Sequence, residues 1–439
     1  MTTIQSMIRP VGYSHSTCGY CSPAGERSRT RSSCSYGFWA YRLDCDAYND
    51  LIDKGWRRSG SYVYHPDMSR TCCPQYTIRL HSLSFKPSKS QRQTLNHFNR
   101  FVQDGNTGSK PGFGPPSATM SEDLVKKLAT PTKKNKNPPP FDFQSCILLC
   151  ETSENPTHRF TTEFVPAAFS SERYELYKKY QIAIHHDDPN KVNRSSFENF
   201  LCDGPLSNDP IKIRNPIINP SNASHSLPKT YGQFHHEYRL DGKLVAFSVL
   251  DILPRAVSGV YFVWDPVWSG LGLGKVSALR ECALVQELNA QGWEGMEYYM
   301  MGFYIHACQK MRYKGEYQPS SLLDPATNVF YPFDHCIPTL EKDTHASFSS
   351  QYSNDLRPSR DAQFQNTNER RETQGDDDDD DDESEFPDPP PPGFGHPDHV
   401  PSTLFQRVVS YDKSVRAYVV SFVTEFFRSY DAGKGLSLI

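Results

Sequence analysis

Cys18-Gly-Tyr-Cys21 is a C-x-x-C pair, and Cys72-Cys73 supplies two more thiols further along the chain. Four thiolates suit a tetrahedral zinc ion or an iron–sulfur cluster. Adjacent cysteines rarely both reach one ion without backbone strain, so the vicinal pair leans the expectation toward a multi-iron cluster, with zinc as the alternative. Six of the twelve cysteines fall between Cys18 and Cys73. In a reducing compartment such clustering is better explained by metal ligands or redox centres than by a disulfide framework. A set of buried or transiently oxidised thiols is the plainer alternative. The arginines of Gly55-Trp-Arg-Arg58 and Arg70 lie close in sequence. Such cations lower a thiol pKa and also suit phosphate.

A second chemical feature is the turn Gly270-Leu-Gly-Leu-Gly-Lys275. A glycine-rich turn that leads from a strand into a helix presents backbone N–H groups to an anion. The elements around it fit that role. Phe234 to Leu240 is predicted as a strand, Asp241-Gly242 as a hairpin turn, and Lys243 to Leu253 as the returning strand. Val257 to Trp264 is a third strand, stopped by Asp265-Pro266. A helix is expected from Val276 to about Asn289, then a strand from Glu297 to Phe303 and a short helix near Ile305 to Lys310. Such a meander running into a glycine-rich helix start is the core of the GNAT acyltransferase fold, which makes the class α+β with an antiparallel-rich mixed sheet. Upstream, Phe143 to Cys150 reads as a buried strand and His158 to Val165 as its partner. Ser171 to Ile184 reads as a helix with Leu176, Tyr180 and Ile184 on one face. Ser88 to Val102 is another, with Leu95, Phe98 and Val102 at helical spacing.

The chain has 439 residues, and apolar residues make up 37% of it. Thirty-four prolines and a mean hydropathy of −0.64 indicate long solvated stretches. Five parts are expected. Residues 1–102 form a Cys-rich metal-binding domain, and 103–140 a linker. Residues 141–345 form the transferase-like domain, 346–398 an acidic, Pro-rich insertion, and 399–439 a segment that closes the fold. The net charge of −4 hides an asymmetry. Asp376 to Asp382 is an unbroken aspartate run, without which the balance is +3. The first hundred residues carry 14 Lys and Arg against 6 Asp and Glu. A polyanionic partner or simple solubility explains that excess. No apolar run is long enough to span a membrane, and no secretory signal is evident at the start, so a cytoplasmic protein, with nuclear placement also open, is expected.

Several longer motifs resemble one family, the arginyl-tRNA–protein transferases. Cys18-Gly-Tyr-Cys21, Asp53-Lys-Gly-Trp-Arg-Arg-Ser-Gly60 and Thr71-Cys-Cys-Pro-Gln-Tyr-Thr-Ile-Arg79 carry it in the first part. Gly232-Gln-Phe-His-His-Glu-Tyr238, Val249-Leu-Asp-Ile-Leu-Pro254, Ser277-Ala-Leu-Arg-Glu281, Tyr298-Tyr-Met-Met-Gly-Phe-Tyr-Ile-His306 and Lys310-Met-Arg-Tyr-Lys-Gly315 carry it in the second. The glycine turn holds more glycine than the family pattern leads one to expect.

The resemblance implies transfer of arginine from arginyl-tRNA to the α-amine of a protein beginning with Asp, Glu or oxidised Cys, which marks that protein for ubiquitin-dependent degradation. The donor is an activated ester, so neither ATP nor CoA is needed at this step. Such a site must hold an RNA end, bind a guanidinium, meet an acidic side chain, take a proton from an ammonium and stabilise an oxyanion. On position, His235, Glu237, Tyr304 and His306 are the catalytic candidates, and Asp251 is a further candidate for the guanidinium. Arg57, Arg58 and Arg79 are candidates for the acceptor carboxylate or for tRNA phosphate. Gly272, Gly274 and Lys275 are placed to hold the phosphate of the terminal adenosine, and Lys310, Arg312 and Lys314 form a basic cluster suited to RNA. Each has a plainer reading: a strand histidine is often a satisfied core group, and paired arginines are often surface ion-pair partners. Two other functions compete. An acetyl-CoA-dependent acetyltransferase leaves the cysteines without a role, and a non-enzymatic tRNA- or degron-binding module gives no turnover.

Overall fold

The computed structural model describes residues 6–22, 26–105, 141–213, 227–349 and 436–438. The expectations for residues 106–140, for the aspartate run and for Ala417 to Phe427 lie outside the described residues. The chain divides into two compact units, residues 1–78, 303–315 and 321–439 in the first and residues 79–302 and 316–320 in the second.

The first unit is built on a five-stranded sheet. Its strands are β1 (Ser6–Ser16), β2 (Ser33–Arg42), β3 (Arg57–Ser59), β4 (Tyr62–Pro66) and β13 (Leu436–Leu438), in the order β13-β1-β2-β4-β3. β1, β2, β4 and β3 pair antiparallel, and β13 runs parallel to β1. Ile8, Phe38 and Val63 from its strands are fully buried, with Tyr48 and Ile52 of the helix Cys45–Ile52. Asp44 caps that helix by accepting from the Ala47 amide, a bond worth about 1 kcal/mol. The unit also holds the hairpin of β11 (Ser320–Leu323) with β12 (Phe330–Pro332) and the helix Phe333–Leu340.

In the second unit β6 (Phe160–Pro166), β7 (Gly232–Leu240), β8 (Lys243–Ile252), β9 (Ala256–Trp264) and β10 (Tyr298–Tyr304) lie in the order β10-β9-β8-β7-β6. β6 to β9 are antiparallel neighbours, while β10 runs parallel to β9. The β7–β8 hairpin turns at Asp241-Gly242, both with positive φ, as that dipeptide predicts. β8 is buried from Leu244 to Ile252 because both faces of the sheet are covered. One face packs Tyr238, Val245 and Ala246 against Phe98, Phe101, Leu273 and Val276. The other packs Phe247, Val249 and Val263 against Leu176, Tyr177, Tyr180, Phe197 and Leu201. Each fully buried Val, Leu or Phe among them contributes about 1.5–3 kcal/mol. β5 (Tyr76–His81) carries the change from the first unit to the second.

The helix Lys89–Asp104 starts in a full capping box, Ser88 with Gln91, and stops at Gly105 in the left-handed region. The segment expected as a strand at Phe143 to Cys150 is instead a helix, Phe143–Thr152, capped by Asp142. Its buried residues Phe143, Ile147 and Cys150 recur at helical spacing, and Leu149 points to solvent. The helix from Ser171 runs to Tyr180 and continues as one π-type turn, Gln181–His185. Among the described residues no helix is long and apolar enough to cross a membrane.

Candidate functional site

The first unit gathers the four cysteines. Cys18 follows β1, where its backbone N–H donates to Ser28 Oγ and its carbonyl accepts from the Ser28 amide, each at 2.7 Å. The vicinal pair follows the Asp67 turn, in which the Thr71 amide donates to the Asp67 carbonyl. The Cys72 amide then donates to the Ser32 carbonyl, and Ser32 Oγ donates to Cys72 Sγ at 3.1 Å. The sulfurs of Cys18, Cys21, Cys72 and Cys73 all lie within 4.8 Å of one another. The strain expected of Cys72-Cys73 does not keep either thiol out, because the turn before them lets both side chains converge. Cys18 and Cys73 are buried against Ile305, Cys308 and Met311, while Cys21 and Cys72 are exposed.

The thiols differ electrostatically. Burial pushes Cys72 up to about 11, and it raises Cys73 as well. Burial also opposes ionisation of Cys18, but hydrogen bonds from the Tyr20 and Cys21 amides, together with those from the Cys72 and Cys73 thiols, outweigh it and hold that thiol below its ordinary value. These hydrogen bonds, rather than the arginines expected from sequence, do the lowering. Four thiols brought together, one disposed to ionise and two resisting, are the donor set that a cation would organise.

The segment 303–315 belongs to the same unit and holds five of the candidates. Tyr304 is buried, and its hydroxyl lies 3.0 Å from His306 Nδ1. Burial, then Arg312, depresses the half-buried His306, so its ring is neutral at physiological pH. Lys310 and Arg312 are exposed, but Lys314 is only 7% exposed, so the three do not form one basic surface. Lys314 Nζ donates to the Phe303 carbonyl at 2.6 Å. Arg57 is buried over the Phe303 ring, with its guanidinium carbon 5.2 Å from the centroid, and donates to the Ile52 and Trp56 carbonyls. Arg58 is buried too and donates to the Gly60 carbonyl at 3.1 Å.

The remaining candidates stand in the second unit. His235 and Glu237 share a face of β7, as their alternation predicts, and that face is covered. His235 Nε2 lies 2.8 Å from the Leu201 carbonyl. Glu237 is clamped by Arg173 at 2.5 Å and Arg239 at 2.7 Å. Asp251 is fully buried, opposite Gln233 on β7 and Ser258 on β9. Arg79 lies over the Tyr298 ring at 4.3 Å. Gly272 has φ of +65° and precedes the helix Leu273–Ala290, so the helix takes in Gly274 and Lys275 and starts earlier than expected. The Lys275 and Val276 amides both donate to the Gly272 carbonyl. The Lys275 side chain is exposed beside Glu316 at 3.9 Å. Among the described residues nothing lies within 4 Å of a Cβ built at Gly274, which leaves that side of the first turn clear of them.

Sequence reasoning passed over three charged groups. Arg173 supports Glu237, Arg280 pairs with Glu151 and donates to the Ile147 carbonyl, and Glu281 accepts from Ser248, Ser277 and Tyr299. The available signal was Arg280-Glu281 inside an otherwise apolar helix, where both charges had to be buried.

With this geometry in place, the comparisons with known proteins are direct. Residues 16–93 match the family described as arginine-tRNA-protein transferase, N terminus, and residues 172–324 match its C terminus. The chain is 32% identical to arginyl-tRNA–protein transferase 1 of Drosophila melanogaster, covering 76% of this chain and 83% of that one. It is 28% identical to arginyl-tRNA–protein transferase 2 of Arabidopsis thaliana, covering 79% and 78%. A more distant relative is the aspartate/glutamate leucyltransferase of Pseudomonas fluorescens, 26% identical over 64% of this chain and 81% of that one.

Proposed function

The chain belongs to the arginine-tRNA-protein transferase family, and from that premise we propose that it moves arginine from arginyl-tRNA to the α-amine of proteins beginning with Asp, Glu or oxidised Cys. The modified protein is thereby marked for ubiquitin-dependent degradation. The observation that carries the reading is the 32% identity to an arginyl-tRNA–protein transferase over 76% of this chain and 83% of that one, beside the two family matches.

The amine nitrogen attacks the ester carbonyl, a C–N bond forms, and the C–O bond to the tRNA ribose breaks. The acceptor nitrogen gives up two protons in all: one leaves the ammonium before attack and is released to solvent through the base, and the second, lost from the tetrahedral adduct, ends on the departing ribose oxygen. An α-amine has a pKa of about 7.7–8.0, so a modest base suffices. Neutral His306, steadied by Tyr304, suits that proton, and the pair is the catalytic candidate we favour. Glu237 and Asp251 remain candidates for the donor guanidinium, although Glu237 already meets two arginines. The antiparallel run β6 to β9, the helix after Gly272 and the parallel β10 support a GNAT-like reading of the second unit. The open side of the helix start at Gly274, beside Lys275, supports phosphate binding there.

Cys18, Cys21, Cys72 and Cys73 would hold the metal. Sulfurs around one tetrahedral zinc lie about 3.8 Å apart, given bonds of about 2.3 Å. The 3.9 Å between Cys21 and Cys72 supports a single ion over the larger spread of a multi-iron cluster. When bound, such an ion supplies positive charge that neutralises the thiolates.

The test is incubation of the purified protein with radiolabelled arginyl-tRNA and peptides starting with Asp, Glu or Ala. Label is expected on the first two, and label on none refutes the reading.

A further inference from the structure

Lys314 lies in the short turn Tyr313–Glu316 of the first unit and is as deeply buried as Arg57, each 7% exposed. Both are organised by one residue: the Phe303 carbonyl accepts from Lys314 Nζ, and the Phe303 ring underlies the Arg57 guanidinium. The other neighbour of Lys314 Nζ is Met311 Sδ at 3.8 Å. Among the described residues no carboxylate pairs with this ammonium. The groups whose charge acts on it are Arg57, which repels it, and Cys308, which favours it. Burial first, and Arg57 second, bring its pKa down to about 7. A buried ammonium with no carboxylate partner costs stability, and groups so perturbed cluster at functional sites.

We infer that Lys314, with Arg57 beside it, receives the carboxylate side chain of the acceptor's first residue. This rests on the arginyl-transfer reading above and names the part of that site that selects the acceptor. A carboxylate that meets the Lys314 ammonium forms charge-assisted hydrogen bonds with it, which an asparagine side chain cannot do. Binding also restores the ammonium, so an acidic acceptor binds with uptake of a proton when the free protein has lost it. Affinity for the acidic peptide therefore falls as pH rises above about 7.

The experiment is fluorescence anisotropy of labelled peptides beginning with Asp or Asn, binding to the full chain without tRNA at pH 6.5 and 8.5. The wild-type chain is expected to prefer Asp, more strongly at the lower pH. Lys314→Met is expected to weaken Asp-peptide binding about 10- to 100-fold and leave Asn-peptide binding unchanged. Its melting temperature is expected to be no lower than wild type, since an uncompensated buried charge is removed. Lys314→Arg is expected to keep the preference for Asp and lose the alkaline weakening. An intact preference in Lys314→Met overturns this inference and leaves the transferase reading standing. A lowered melting temperature with both peptides lost also overturns it, because Lys314 is then a structural staple. A wild-type chain that does not distinguish Asp from Asn overturns the acidic-acceptor reading itself.

Discussion

In the second unit Arg280 is buried with Glu151 against it, and Arg173 and Arg239 close on Glu237. In the first unit Lys314 is buried to a similar degree with a carbonyl and a thioether for neighbours, and four thiols converge a short way along the same unit. These three arginines of the second unit meet carboxylates of the same unit. The first unit leaves a cation and a ligand set that molecules from outside would complete. A buried ion pair is weak evidence for stability, but losing one partner is costly. An uncompensated buried charge is a cost already carried, and function is the usual reason for it.

The contrast can be broken by measurement. Glu151→Gln leaves Arg280 buried without its carboxylate and is expected to destabilise by about 3–5 kcal/mol in urea unfolding. A loss under 1 kcal/mol, no larger than that of an exposed pair, removes the distinction between the units. On the proposed single-ion site, Cys73→Ser is expected to lower metal content, measured by elemental analysis, from about one ion per chain in the wild type toward none. Its melting should then no longer respond to a chelator. Undiminished metal in that variant shows that the ion sits elsewhere.

Glu281 gives the smallest and most specific effect. Burial raises its pKa above the ordinary 4.5, against the opposing hydrogen bonds from Ser248, Tyr299 and Ser277. The folded state therefore holds the proton more tightly than the unfolded chain, and stability falls as pH rises from 4.5 through the folded pKa. Glu281→Gln should melt close to wild type at pH 4.5 and relatively higher at pH 8. A difference that does not change with pH shows that the carboxyl is ionised throughout.

Local signals made much of the fold legible. The spacing of Leu95, Phe98 and Val102 announced the helix that Ser88 and Gln91 cap, Asp241-Gly242 announced a hairpin, and the strands on either side of that turn appear within a residue or two of their expected ends. Phe143 to Cys150 misled because Cys146 to Cys150 is one apolar run, which looks alike as strand or buried helix. The spacing of Phe143, Ile147 and Cys150, with Asp142 as cap, was the signal to weigh. The four cysteines were legible by type, and their convergence depended on a turn the sequence does not display. The burial of Lys314 was not legible: in Lys310-Met-Arg-Tyr-Lys-Gly315 the residues Lys310, Arg312 and Tyr313 are exposed, and only the packing turns this one lysine inward.

The account depends on an RNA ester and a foreign chain's free amine reacting on this protein. Mass spectrometry of an Asp-initiated peptide, incubated with the protein and arginyl-tRNA and without ATP or CoA, tests that directly. One arginine residue joined to the α-amine, with an N-acetylated peptide left unchanged, is the predicted result. An unmodified free-amine peptide, or arginine attached anywhere but the N-terminus, contradicts it.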